Sequence, residues 1–237
     1  MPPARAVFYA ATFAVVVIGA RSALIRPIGL GWAIAVAIGY ATLLMCGVLV
    51  LRLRVLVLCV LVGAAKWKPL WDGKTFSGWH IIGKGKWEIA DGAIHGTHVK
   101  AEKEFGHLVT DKVYKDFTAR LKFKALKGNS GFYFRIEEKG ASGVSGFQAE
   151  VEPQENVGGL YETNGRAWVT KPTPEELKKF FKPGEWNEMT VTARGSNIVV
   201  TVNGIKTAEV TNDPGRTEGR IALQINANMD CDVWFKD

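Results

Sequence analysis

The sequence predicts an all-β fold, a two-sheet sandwich of jelly-roll type with one short helix, carried behind an apolar N-terminal segment. Three observations lead there. After Lys66, apolar and polar residues alternate with period two in short runs bounded by Gly, Asn, Asp and Pro, the pattern of half-buried strands. Helical periodicity is nearly absent over the same stretch, whose roughly 170 residues exceed an immunoglobulin-type sandwich of about 100. Before Lys66 the chain contains no Asp, Glu or Lys at all.

Residues 1–65 form the first domain. Their only charges are Arg5, Arg21, Arg26, Arg52 and Arg54, so five of the net +7 sit there and the rest of the chain is close to balance. A nucleic-acid partner needs a clustered basic face and is not expected. The run Ile28 to Leu51 is long enough as a helix to cross a bilayer core, which takes about 20 apolar residues. Ala6 to Ala20 is a second, weaker span ending at Arg21, which can snorkel to the interface. The lipid bilayer is thus the expected partner of residues 1–65. Val55 to Ala65 follows Leu-Arg-Leu-Arg and ends on Gly63-Ala64-Ala65; it reads equally as an internal signal-like segment or as the end of a long, tilted helix. The arginines do not settle orientation, but two of the three threadings these segments allow put the β domain outside the cytoplasm, so it is expected in the periplasm or at the cell surface. Cys46, Cys59 and Cys231 have neither metal-ligand spacing nor the makings of a disulfide framework.

Residues 66–237 form the second domain. Phe117, Ala119, Leu121 and Phe123 point one way and Thr118, Arg120, Lys122 and Lys124 the other. After the turn Lys127-Gly-Asn-Ser-Gly131, the next strand is expected to bury Phe132, Phe134 and Ile136 and to turn Tyr133, Arg135 and Glu137 outward. The strand after Gly146 is expected to bury Phe147, Ala149 and Val151 and to present Gln148, Glu150 and Glu152. Met189–Ala193 and Ile198–Val202 flank Arg194-Gly-Ser-Asn197, and Asn203-Gly204 is the signature of a type I′ hairpin. The one helix has Thr173 as N-cap, Pro174 at its first position, an acidic first turn, and Pro183-Gly184 beyond its end.

No Gly-x-Ser-x-Gly elbow, phosphate-binding loop, dinucleotide fingerprint or zinc signature occurs, which argues against esterase, nucleotide and metalloprotease chemistry. Six blocks in order do resemble a known family: Pro69 to Trp79, Trp87 to Ile94, Asp116-Phe117, Gly128-Asn-Ser-Gly-Phe-Tyr-Phe-Arg135, Gly146-Phe-Gln-Ala-Glu150 and Pro183-Gly-Glu-Trp-Asn187. They are similar to the 3-keto-disaccharide hydrolase domain over nearly all of residues 68–237. The resemblance implies a concanavalin A-like jelly roll whose concave face holds a sugar, and cleavage of 3-keto-glycosides. A C3 ketone acidifies the C2 proton, so a carboxylate or His can remove it and let the anomeric oxygen leave. A divalent cation, Ca2+ or a transition metal, is the only cofactor the resemblance leaves open. A non-catalytic carbohydrate-binding module on a membrane-tethered protein is the other reading of the same sandwich.

Within this frame Glu150 and Arg135 are the expected catalytic pair, placed by alternation on the open face of successive strands, with His98, or else His107, as a second choice of base. Gln148, Asn129 and Glu152 are expected to bind substrate hydroxyls, and Tyr161 and Trp168 to stack on a pyranose ring. Trp79 is expected in the core. His95 and His98 are three apart on a strand and so point to opposite faces, which argues against a shared metal. N-terminal sequencing of the mature protein tests the signal reading: a start near Lys66 supports processing, and an intact terminus containing Arg5 overturns it.

Overall fold

The computed structural model describes residues 39–45, 47 and 67–237. The chain divides into two compact units, Met1–Lys68 and Pro69–Asp237. In the first, residues 39–45 are helical. The remainder of the expected spans lies outside the described residues, and among those described no helix is long and apolar enough to cross a membrane.

The second unit is the all-β sandwich. Its described strands, in chain order, are β1 (Trp79–Gly83), β2 (Lys86–Ala90), β3 (Ala93–His98), β4 (Gly106–Thr110), β5 (Phe117–Lys127), β6 (Ser130–Lys139), β7 (Gly143–Val151), β8 (Leu160–Thr163) and β9 (Ala167–Thr170), then β10 (Asn187–Arg194), β11 (Asn197–Val202), β12 (Ile205–Val210), β13 (Arg220–Ile225) and β14 (Cys231–Lys236). They form two seven-stranded sheets, ordered β1-β4-β13-β6-β7-β8-β9 and β12-β11-β10-β5-β14-β3-β2. The helix Pro174–Phe180 joins β9 to β10. Thr173 caps it in a full capping box with Glu176, and Leu177 and Phe180 are its buried side.

The core lies between the sheets and follows the alternation. Leu121, Phe123 and Ala125 of β5 and Met189, Val191 and Ala193 of β10 face Phe132 and Phe134 of β6 and Phe147, Ala149 and Val151 of β7. Phe134 is the hub, 5.5 Å from Phe147 and 6.0 Å from Phe117 between ring centres. Each such ring contributes on the order of 1.5–3 kcal/mol by leaving water. Trp79 packs against this core as expected, its indole N–H donating to the Leu70 carbonyl at 3.2 Å. At Asn203 and Gly204 both φ angles are positive, 49° and 80°, as a type I′ turn requires.

One strand breaks the expected alternation. Phe134 pairs with Phe147, but the next pair along β6 and β7 is Glu137 with Ser145, so Arg135 and Ile136 together oppose Gly146. This is a β-bulge, with Arg135 at φ 53°. Beyond it the alternation is one residue out of phase. Ile136 joins Tyr133, Val109, Val144 and Ala222 on the outer face, and Arg135 turns inward with 1% exposure. Gly146 permits the bulge: at φ 145° it takes a conformation rare for other residues, and a Cβ there would lie 2.7 Å from the Arg135 carbonyl oxygen. Gly146→Ala is therefore expected to cost about 2 kcal/mol. The check is a lowered urea midpoint at unchanged slope.

Candidate functional site

The open face of the first sheet is a cleft of about 380 Å3 crossing β4, β13, β6, β7, β8 and β9. Strand register builds it in rows. One row runs Ala222, Tyr133, Gln148, Tyr161, Trp168; the next runs His107, Gln224, Gly131, Glu150. Side chains on a pleated face stand in such rows because alternate residues share a face.

The polar side chains here are buried and tied together. Gln148 Nε2 donates to the Ser130 carbonyl at 3.1 Å and to Gln224 Oε1 at 3.3 Å. Gln224 Nε2 in turn donates to the Tyr133 hydroxyl at 3.2 Å, and that hydroxyl lies 3.0 Å from the Thr163 hydroxyl. Gly131 makes room for this chain, since a Cβ at that position would sit 2.5 Å from Gln148 Cγ. Asn226 Nδ2 donates to Asn129 Oδ1 at 3.0 Å, and Asn129 Nδ2 donates to Glu150 Oε1. The rim is aromatic: Tyr161 and Trp168 meet edge to face at 5.2 Å, with the Lys171 ammonium 5.2 Å from the Trp168 ring centre.

Glu150 is 3% exposed. Burial, and next the neighbouring charge of Glu152, push its pKa well above the usual carboxylate value, against the bond from Asn129. Glu152 is also raised, chiefly by burial, although Asn156 Nδ2 donates to it at 2.7 Å. Burial pulls His107 down to about 4 and raises the Tyr133 phenol, so both are neutral at neutral pH. The site can therefore move a proton through one carboxyl and offer neutral amides, a phenol and an imidazole to hydroxyl or carbonyl oxygens.

Six of the expected residues line the cleft: Glu150, Gln148, Asn129, Tyr161, Trp168 and His107, the alternative to His98. Glu152 lies just beyond the end of β7 and reaches the cleft through its charge on Glu150. Two expectations need correction. Arg135 is not on the open face, because the bulge turns it inward; its guanidinium donates to the Arg216 carbonyl at 3.1 Å and the Lys115 carbonyl at 3.2 Å. Burial pulls its pKa down, with Asp116 and then Asp213 opposing. His98 belongs to the second sheet, with its ring nitrogens 3.1 and 3.0 Å from the carbonyls of Val99 and Glu104, and it holds that loop rather than the cleft.

Tyr133, Thr163, Gln224 and Asn226 line the cleft without having been singled out from the sequence. The available signal was alternation, which sets Gln224 between the inward Leu223 and Ile225. Among the described residues no three His, Cys, Asp or Glu side chains gather as metal ligands. In the cleft one carboxylate stands among amides with a histidine three strands away, a donor set that does not fit a dedicated divalent-cation site.

Residues 66–237 match the family described as 3-keto-alpha-glucoside-1,2-lyase-like domain. A 3-keto-disaccharide hydrolase from Bacteroides thetaiotaomicron is 35% identical over 78 residues, which are 29% of this chain and 27% of that protein, so the chain spans about a quarter of that relative's length. Among solved structures, a candidate glycosyl hydrolase from Parabacteroides distasonis superposes with a TM-score of 0.54 at 22% identity, over 72% of this chain and 90% of that one. A carbohydrate-binding module from Bacillus subtilis gives 0.51 at 15% identity, over 68% and 92%. At these identities the two structures show the shared sandwich fold.

The raised pKa of Glu150 has a sign that unfolding can read. The folded state holds the proton to higher pH than the unfolded state, so the contribution of Glu150 to stability falls as pH rises from the usual carboxylate range through its folded pKa. Glu150→Gln should therefore compare more favourably with wild type at pH 8 than at pH 4 in urea midpoints. The opposite ordering would refute the buried, proton-holding carboxyl.

Proposed function

Because the chain belongs, over residues 66–237, to the 3-keto-alpha-glucoside-1,2-lyase-like domain family, we propose that its cleft cleaves glycosides oxidised at C3, with Glu150 moving the proton. The observation that carries this reading is a buried carboxyl lining a sugar-sized cleft among neutral hydrogen-bonding side chains. Ionised Glu150 takes the C2 proton that the C3 ketone acidifies. The electron pair passes into an enolate and then expels the glycosidic oxygen from C1, leaving a C1–C2 double bond. The departing oxygen takes up the proton that Glu150 has accepted, and water adding across the double bond completes a net hydrolysis.

A raised pKa suits this role, since it makes the ionised carboxylate a stronger base. Gln148 and Tyr133 are the neutral donors nearest in the rows to the developing enolate charge. Tyr161 and Trp168 offer their rings to the C–H face of a pyranose. No step is routed through Arg135 or a cation. Residues 1–65, Arg-only and apolar, are on this reading a bilayer anchor holding the domain outside the cytoplasm.

The test is incubation with 3-keto-trehalose, 3-keto-sucrose and their unoxidised parents, with and without divalent cation, following released sugar by mass spectrometry. Release from the keto forms alone is expected, and Glu150→Gln is expected to lower turnover by about 10²–10⁴ while leaving sugar affinity within a few-fold. Sugar binding without release under any condition would instead establish a carbohydrate-binding module.

A further inference from the structure

The cleft has two polar poles. Glu150, held by Asn129, is one; His107 on β4 is the other. His107 opposes Gln224, Gln224 opposes Gly131, and Gly131 opposes Glu150, so the poles stand three strand spacings apart. At about 4.8 Å per spacing that is roughly 14 Å between backbones. One pyranose ring bonded to Glu150 does not reach His107, whereas two linked rings do.

Between the poles the polar groups are occupied. Gln224 and Gln148 bond to each other, and Gln224 also to Tyr133. His107 is different: at 1% exposure, neither ring nitrogen reaches hydrogen-bonding geometry with any described residue, although the Ser142 backbone lies close enough to oppose the effect of burial on the ring. Three buried side chains share that condition, Arg135 only in part, and of these His107 alone lines the cleft. A buried polar group left unpaired is costly enough that native structures seldom keep one without a use. The ring stands edge-on to Tyr133 at 5.5 Å. Phe105, 39% exposed with its ring centre 6.2 Å away, is the cleft side chain that an entering ligand would displace to reach it.

We propose that His107 is a specificity-determining residue for a second sugar ring, its imidazole exchanging hydrogen bonds with a hydroxyl of the leaving ring while Glu150 acts on the oxidised one. This rests on the reading above. A neutral imidazole has one donor and one acceptor, and a hydroxyl can meet either. The burial that pulls the His107 pKa down to about 4 keeps the ring in that neutral form. His107 would thus select a two-ring glycoside over a simple alkyl glycoside of the same oxidised sugar.

The test uses the full chain and compares kcat/KM for 3-keto-trehalose with that for the corresponding methyl 3-keto-α-glucoside. His107→Phe, which keeps a ring and loses both hydrogen-bonding atoms, is expected to lower the ratio of the two about tenfold, with His107→Gln recovering part of it. An unchanged ratio, or an equal loss on both substrates, overturns the proposal. Because a buried substitution can fail to fold, wild type is also assayed on disaccharides whose leaving ring lacks one hydroxyl at a time. One position should lose about tenfold, and no loss at any position overturns the proposal. A wild-type chain that turns over neither substrate overturns the enzymatic reading instead. Calorimetric titration of the 3-keto-disaccharide against its monosaccharide half then decides His107 separately. Tighter binding of the two-ring ligand that His107→Phe abolishes sustains it, and equal binding refutes it.

Discussion

The pairing of β6 with β7 is the constraint on which the rest of the domain depends. Its register sends Phe132, Phe134, Phe147 and Ala149 into the space between the sheets, and sets Tyr133 beside Gln148 and Gly131 beside Glu150 on the other side. A slip of one residue would exchange the two faces, carrying aromatic rings into the cleft and carboxyl and amide groups into the core. The aromatic cluster around Phe134 makes that exchange expensive, so hydrophobic packing on one side holds the polar geometry of the other. The bulge at Arg135 and Gly146 ends this stretch of register without disturbing it, because the extra residue falls beyond the pairs Tyr133–Gln148 and Gly131–Glu150.

The cleft face runs against the usual economy of an outer sheet surface. Gln148, Glu150, Gln224, Tyr133 and His107 are all buried there. Amides and hydroxyls remove most of the desolvation penalty by bonding to one another in a chain from Ser130 to Thr163. Such a chain also fixes rotamers before a ligand arrives, which is what a recognition site requires. Two groups stay outside the compensation. Glu150 accepts one bond from Asn129 while burial penalises its ionised form; burial also keeps His107 neutral. Those exceptions carry the chemistry proposed for the cleft.

The same sandwich appears in a candidate glycosyl hydrolase and in a carbohydrate-binding module, so the fold alone does not separate turnover from binding. What bears on that question is local. A module that only binds has no need of a carboxyl whose ionised form is penalised by burial, whereas proton abstraction at C2 calls for a base of raised pKa.

Much of the domain was legible in the sequence. Period-two alternation marks β5, β7, β10 and β11 and their buried faces, Asn203-Gly204 marks a hairpin, and Thr173-Pro174 marks the helix start, because each depends on backbone geometry acting over a few residues. The outward phase of Gln148 and Glu150 followed from the same local rule. Arg135 was misplaced because a bulge is decided by the partner strand: only pairing with Gly146 shows that two residues oppose one. His98 likewise reads as a candidate until strand order assigns it to the other sheet. Tyr133, Gln224 and His107 lie far apart in the chain and meet because β13 is inserted between β4 and β6. The sequence by itself determined which residues of each strand share a face, since that is a property of the pleat. Only the tertiary structure decided which strands stand side by side, and hence which carboxyl, amide and imidazole share one cleft, since that order is set by contacts between residues distant in the chain.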